Sequence, residues 1–247
     1  MKYLLHTFFI GMILAACGLE PVPACQMVAY QGNNYTICEA GAKSDVRLFL
    51  NRPNGKPLGS FEAADAQLAN TDQQLVFAMN AGMYHADRSP VGLYIEEARQ
   101  LKQINTAARD GNFGLVPNGV FFINQDGAGV AETEAFVQMS PEVDYATQSG
   151  PMLVIDGALH PAFTVSGVSK KKRNGVGISA DGARVYFVIS EQPVNFHSFA
   201  SVFRDHLQTP NALFLDGTVS RLYYPQGDRN DPGLPMGPMI GLVGGAD

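Results

Sequence analysis

The sequence predicts an α+β fold, a mixed β-sheet core with a few packed helices in a single domain, on three observations. Short β-rich runs at 46–50, 75–79, 119–124, 152–155, 184–190 and 212–215 are separated by glycine-bearing turns. Helical patterning is confined to two segments. No internal repeat or interdomain linker breaks the chain, and the roughly 230 residues that follow the first seventeen suffice for one large core.

The punctuation between the strands is Asp-Gly. Asp126-Gly127, Asp156-Gly157 and Asp181-Gly182 each adjoin an apolar run, where glycine accepts positive φ and aspartate bonds its own turn. The first helix is expected over 61–69 behind Ser60 as its cap, and the second over 198–207, with Phe199, Val202, Phe203 and Leu207 on one face. The second helix feeds the run 212–215, which places Asp216 at the carboxyl end of an apolar strand, where α/β layers gather functional groups. Residues 225–245 are rich in proline and glycine and read as a loop-like end that wraps the domain.

The N-terminus is an export signal. Lys2 precedes an apolar run over 4–16 that is too short to remain as a span of a bilayer about 30 Å thick. The run ends in Leu14-Ala15-Ala16-Cys17-Gly18, which resembles a bacterial lipobox with Cys17 as the lipidated residue; an ordinary cut after small residues is the alternative. Lipidation would leave an exported lipoprotein held to a membrane through Cys17, on the periplasmic side or at the outer membrane in a Gram-negative cell. Residues 1–17 are thus assigned as a lipoprotein signal peptide.

Of the three cysteines, Cys25 and Cys38 then remain as a pair flanking a hairpin turn at Gln31-Gly32-Asn33-Asn34. An oxidising compartment would join them, and two free thiols are the alternative. Residues 18–45 form this hairpin region. Net charge is −6, which argues against a nucleic-acid partner.

Gly-x-Ser-x-Gly, His-Glu-x-x-His and phosphate-loop motifs are missing, and His85, His160, His197 and His206 show no zinc spacing. What the sequence offers is four glycine-flanked polar clusters beside strands: Asn80-Ala81-Gly82-Met83-Tyr84, Gln148-Ser149-Gly150-Pro151, Arg173-Asn174-Gly175-Val176-Gly177 and Leu215-Asp216-Gly217-Thr218-Val219-Ser220. Small residues let a ligand approach the backbone, and exposed N–H groups with a carboxamide or guanidinium can then hold hydroxyls or phosphate oxygens. Taken singly, each cluster is a common turn.

In this order the clusters resemble the phosphodiester glycosidase family, which includes the mannose-6-phosphate uncovering enzyme. The resemblance covers about 75–241 of the 46–247 domain, with Ala81 and Thr218 standing where the family motifs have glycine. It implies hydrolysis of a sugar 1-phosphodiester. A departing phosphate is a weak base and needs less help from a general acid than an alkoxide does.

On this reading Asp216 is the candidate nucleophile, water activator or stabiliser of an oxocarbenium-like centre, with capping of its own turn as the structural alternative. Glu191 and Asp87 are candidates for a second acid/base member. Arg173 is the candidate phosphate holder, because a guanidinium gives two aligned hydrogen bonds and keeps its charge. Lys170, Lys171 and Lys172 add a local positive field, or else a solvated basic loop. Asn80, Gly82, Tyr84, Gln148, Ser149, Gly150, Gly217 and Ser220 complete the candidate carbohydrate site; a closed turn at Asn80 and a satisfied strand end at Gln148 are the structural alternatives. No cofactor is demanded, although Asp216 and Asn80 are oxygen ligands that could hold a divalent cation such as calcium.

The expected function is a cell-envelope hydrolase that frees a sugar from a glycosyl-1-phosphodiester. The alternatives are a noncatalytic envelope glycan-binding lipoprotein and a glycosidase acting on nonphosphorylated polysaccharide, which would need a true general acid.

Overall fold

The computed structural model describes residues 24–107 and 111–246. Cys17 and the expected signal at 1–17 lie outside them. The first sheet has seven strands in the order Cys25–Tyr30, Asn33–Gly41, Arg184–Ser190, Asn174–Ile178, Asn211–Phe214, Met152–Ile155, Ala158–Leu159. The second has five, Arg229–Asn230, Leu222–Tyr224, Gln73–Asn80, Met239–Gly245, Val46–Phe49, and the third has Arg99–Lys102, Tyr94–Glu96, Tyr145–Ser149, Gly119–Asn124, Gly127–Glu132. The expected sheet was mixed; every pairing described is antiparallel. The short, turn-connected runs are what antiparallel pairing requires, since a parallel neighbour needs a long crossover.

Alternation along the first sheet sends side chains to two apolar layers. Cys38, Val176, Phe187 and Leu213 face the other two sheets, while Ile37, Val188, Ala212 and Phe214 face Phe199 and Phe203. The three sheets meet at an aromatic junction: Phe187 lies 5.4 Å from Phe77 of the second sheet and 6.1 Å from Phe121 of the third, centroid to centroid. All three rings are fully buried, and truncating one such ring costs about 3–5 kcal/mol.

Both expected helices exist. Phe61–Leu68 starts at Ser60, whose Oγ accepts from Ala63 N at 3.2 Å, and it buries Phe61, Ala64 and Leu68 on the second sheet. The second begins two residues earlier than the apolar pattern indicates, because Asn195 caps it by accepting from Ser198 N; it runs Phe196–Ser201 and continues as a π-turn over Val202–His206. A third, Thr133–Met139, escaped notice because its apolar face is narrow, with Thr133 and Phe136 as its buried residues.

The C-terminal expectation is corrected. Met239–Gly245 is no wrapping loop but an inner strand of the second sheet, between Gln73–Asn80 and Val46–Phe49. Its glycines disguise it: a Cβ on Gly241 would come within 2.7 Å of Phe77 O, so glycine is what lets the neighbouring strand approach.

The first hairpin belongs to the sheet and is not an appendage. Asn33–Gly41 pairs along its length with Arg184–Ser190, and Gln31 and Gly32, with φ of 46° and 75°, make the tight turn between Tyr30 and Asn33. Cys25 and Cys38 face each other in register and form a disulfide at a separation of 13 residues. Replacing both cysteines by alanine is expected to lower the unfolding free energy by about 3 kcal/mol, the chain-entropy value for such a loop, read as a lower urea midpoint with an unchanged fold.

Candidate active site

Three of the four clusters interlock where the first two sheets meet. Gln73–Asn80 ends with Asn80 wholly buried, and Asn174 opens its strand equally buried. Two hydrogen bonds lock them together: Asn80 Nδ2 donates to Asn174 Oδ1 at 3.3 Å, and Asn174 Nδ2 donates to the backbone oxygen of Asn80 at 2.9 Å. Asn80 Nδ2 also donates to Asp216 O at 2.7 Å, and Asn80 Oδ1 accepts from Arg221 N at 3.0 Å. Asp216 N donates to Ala81 O, and Ser220 Oγ donates to Asn174 Oδ1 at 3.1 Å. The turn from Asp216 to Ser220 is thereby fixed at both ends.

The fourth cluster abuts from the third sheet. A Cβ on Gly82 would fall 2.6 Å from Gln148 O, so the chain leaving Asn80 passes directly against the strand Tyr145–Ser149. Phe214 N donates to Pro151 O, and Gly150 lies against Asn118 and Phe113. Ser149 is fully buried, and its Oγ has no hydrogen-bond partner among the described residues.

Asp216 is half-buried, and burial raises its carboxyl above the ordinary aspartate value. A hydrogen bond to Oδ1 from Thr218 N at 2.9 Å and the charge of Lys171 pull in the other direction. Tyr84 is near enough for the carboxylate to help raise its phenol, after burial as the larger cause. The turn that Asp216 begins lines a cleft of about 580 Å³, whose walls include Lys171, Lys172, Thr218, Ser220, Arg221 and Leu234.

The structure thus brings Asn80, Gly82, Tyr84, Ser220, Gly217 and Asp216 together, with Ser149 and Gly150 behind them. Several roles expected of these residues change. Asn80 and Gln148 are spent on the protein itself. Gln148 Oε1 accepts from Leu93 N and Asn105 N, and its Nε2 donates to Asn105 O and Thr133 Oγ1, so the carboxamide has no valence left for a sugar. Asn80 Oδ1 is buried and accepts from the Arg221 amide.

Arg173 is no open phosphate clamp. It is 1% exposed, lies with its guanidinium carbon 3.5 Å from the centre of the Phe196 ring, and donates to Val194 O and Ser169 O. Burial draws its pKa down to about 10.

The two further carboxylates do not pair with Asp216. Glu191 accepts from Arg229 at 2.7 Å and Thr36 at 2.6 Å; its strand is two removed from that of Asp216, about 10 Å at the backbone. Asp87 stands on an exposed turn, and its carboxyl is lowered by the Ser89 hydroxyl and amide that it holds. Nor is Ala81 part of a pocket floor: its methyl group is packed in the core.

Pattern reading passed over Arg221; it named Lys171 and Lys172 as a positive field or a solvated loop, and Asn174 as a member of its cluster without a role of its own. The signal for Asn174 was its phase, since it shares a strand face with Val176 and Ile178 and is the polar end of that buried row. Asn80→Ala leaves the Arg221 amide and Asp216 O without their carboxamide partner in the interior and removes one of the two donors to Asn174 Oδ1. A loss of about 2–4 kcal/mol is expected in denaturant unfolding, far above that of a surface asparagine.

Comparison with known proteins gives the family. The family model described as phosphodiester glycosidase matches residues 73–242. The uncharacterized protein YigE of Escherichia coli (strain K12) is 38% identical over 182 residues, 74% of this chain and 70% of that protein. The zebrafish N-acetylglucosamine-1-phosphodiester alpha-N-acetylglucosaminidase catalytic domain, auto-inhibited by its pro-peptide, has a TM-score of 0.61 at 14% identity, covering 88% of this chain and 81% of that one. A hypothetical protein from Synechocystis has a TM-score of 0.53 at 12% identity, covering 89% and 61%. At those identities the two structures share the fold, whereas the family model spans all four polar clusters: this chain belongs to the phosphodiester glycosidase family.

Proposed function

We propose that this protein hydrolyses a glycosyl-1-phosphodiester, with Asp216 activating the water that attacks the anomeric carbon. The observation that carries this reading is a half-buried carboxylate of raised pKa at the edge of a cleft, with a lysine beside it and, among the described residues, no second carboxylate paired to it. A raised pKa makes Asp216 a stronger base than a solvated aspartate. It accepts the proton of the attacking water, the sugar oxygen bond forms, and the bond from the anomeric carbon to the phosphate oxygen breaks with its electrons on the phosphate. That leaving group is stable without a proton, which is the condition a site with one carboxylate can meet. Lys171 gives the anionic phosphate a positive neighbour. The protein is further proposed to act in the cell envelope, exported and tethered through Cys17.

Release of free sugar from sugar-1-phosphodiesters by the full chain is the direct test. Asp216→Asn is expected to lower kcat at least about 10²-fold, as loss of a general base does, while keeping the Thr218 hydrogen bond. Full activity in that variant would remove Asp216 from the mechanism. Glycan binding without turnover of any phosphodiester would instead favour a binding protein. The wild-type rate should fall as pH drops through an acid limb lying above the ordinary aspartate pKa, because the base must be ionised.

Stability should move the other way. A carboxyl whose folded pKa is raised stabilises fully below its unfolded pKa, and that contribution is lost as pH rises through the folded value. Asp216→Asn should therefore raise Tm at neutral pH, with the gain vanishing toward pH values below the unfolded aspartate pKa.

A further inference from the structure

Beyond the scissile bond, the cleft is built for a second negative charge. The charged residues that line it are Lys171, Lys172 and Arg221, with no carboxylate among the lining residues. Asp216 at the edge contributes one negative charge against those three positive ones. A glycosyl phosphodiester brings one more. Just outside the lining, Asp231 feels the Lys172 charge but is itself paired with Arg229, so the positive field of the cleft is local to its lysines, in a protein whose net charge is −6.

The cations of this region are not interchangeable. Arg173 and Arg221 spend their donors on carbonyl oxygens: Arg173 on Val194 and Ser169, Arg221 on Asp231 at 2.8 Å and Leu234 at 3.0 Å. Arg229 is held between Glu191 and Asp231. Neither Lys171 nor Lys172 forms an ion pair among the described residues.

The backbone that carries the two lysines is also anchored. Lys171 N donates to Val194 O at 3.2 Å and Lys171 O accepts from Val194 N at 2.9 Å. Lys172 O accepts from Ser220 Oγ at 3.2 Å, tying it to the Asp216 turn. Arg173 fastens the segment from behind through Ser169 O, and Arg221 fastens the opposite wall through Leu234 O. A solvated basic loop has no such anchoring. The backbone of both walls is held before a ligand arrives, so the ordering entropy that opposes binding is confined to the lysine side chains.

We infer that the cleft bounded by Lys171 and Lys172, the turn at 217–221 and the loop at 232–234 is an aglycone subsite that selects substrates carrying a second anionic group beyond the scissile phosphate. The chemical class is a phosphodiester-linked repeat or a phosphorylated alcohol, in contrast to a neutral one. This rests on the proposed phosphodiester reading, in which Asp216 receives the sugar end. Selection by two partly exposed ammonium groups is electrostatic and therefore sensitive to salt.

Two probes separate the terms: a sugar-1-phosphodiester of glycerol, and the same compound with a phosphate on the far glycerol hydroxyl. Equilibrium binding to the full chain, measured with Asp216→Asn to suppress turnover, is expected to favour the second by about tenfold at low salt. The preference should shrink to less than about twofold in Lys171→Gln/Lys172→Gln, or when added salt shortens the Debye length to about 3 Å. Circular dichroism and Tm of the lysine variant would establish that it is folded. Equal affinity for the two probes in the parent, or a preference that survives the double replacement, overturns the inference. Because the readout is binding, the proposals fail separately. Preference without hydrolysis by the wild type sinks the catalytic reading, and hydrolysis without preference sinks this one.

Discussion

The site depends on one buried interaction, the pair of hydrogen bonds that locks Asn80 to Asn174, one between their carboxamides and one from the Asn174 carboxamide to the Asn80 backbone oxygen. A carboxamide donates and accepts at once, so each can bond the other residue and still reach further groups on either side. Here they join the end of Gln73–Asn80 to the start of Asn174–Ile178, and so the second sheet to the first. The same pair positions Asp216 O, the Arg221 amide and the Ser220 hydroxyl. Inside the protein each of these groups would be costly without a partner. The geometry of the Asp216 turn is thus set by the need to leave no polar group unmatched where two sheets touch.

The basic residues divide between support and contact. A guanidinium is planar, weakly hydrated and rich in donors, so Arg173 can lie on Phe196 while bonding two carbonyl oxygens, and Arg221 can brace the loop at 231–234. An ammonium is a compact, strongly hydrated charge that burial penalises, which suits Lys171 and Lys172 to the open cleft. Scaffold and cleft-lining charge are adjacent in sequence and opposite in environment. Strand alternation separates Arg173, which lies on Phe196, from Asn174, which shares the face of Val176 and Ile178.

Asp216 shows the usual tension between function and stability. Burial disfavours its ionised form, and the Thr218 amide, the Thr218 side chain and the charge of Lys171 relieve it in part. The fold tolerates the cost because the aromatic junction of Phe77, Phe121 and Phe187 and the disulfide of the first hairpin lie elsewhere and are undisturbed by it.

Local chemistry by itself determined much of this protein. The six β-rich runs, the Ser60 cap, the cysteine pair and the glycine-flanked motifs all depend on near neighbours, and each was legible residue by residue. The strand Met239–Gly245 was not, because its glycines answer to Phe77 and Ala78 some 160 residues away. The motif carrying Asp216 was readable as well, but what each motif side chain is free to do was not. Asn80, Gln148 and Arg173 have the right chemistry for a ligand and spend it on backbone groups brought to them by distant strands and loops. Hydrogen-bonding capacity is an intrinsic property of a side chain; whether any of it is left over is decided only when the sheets have packed.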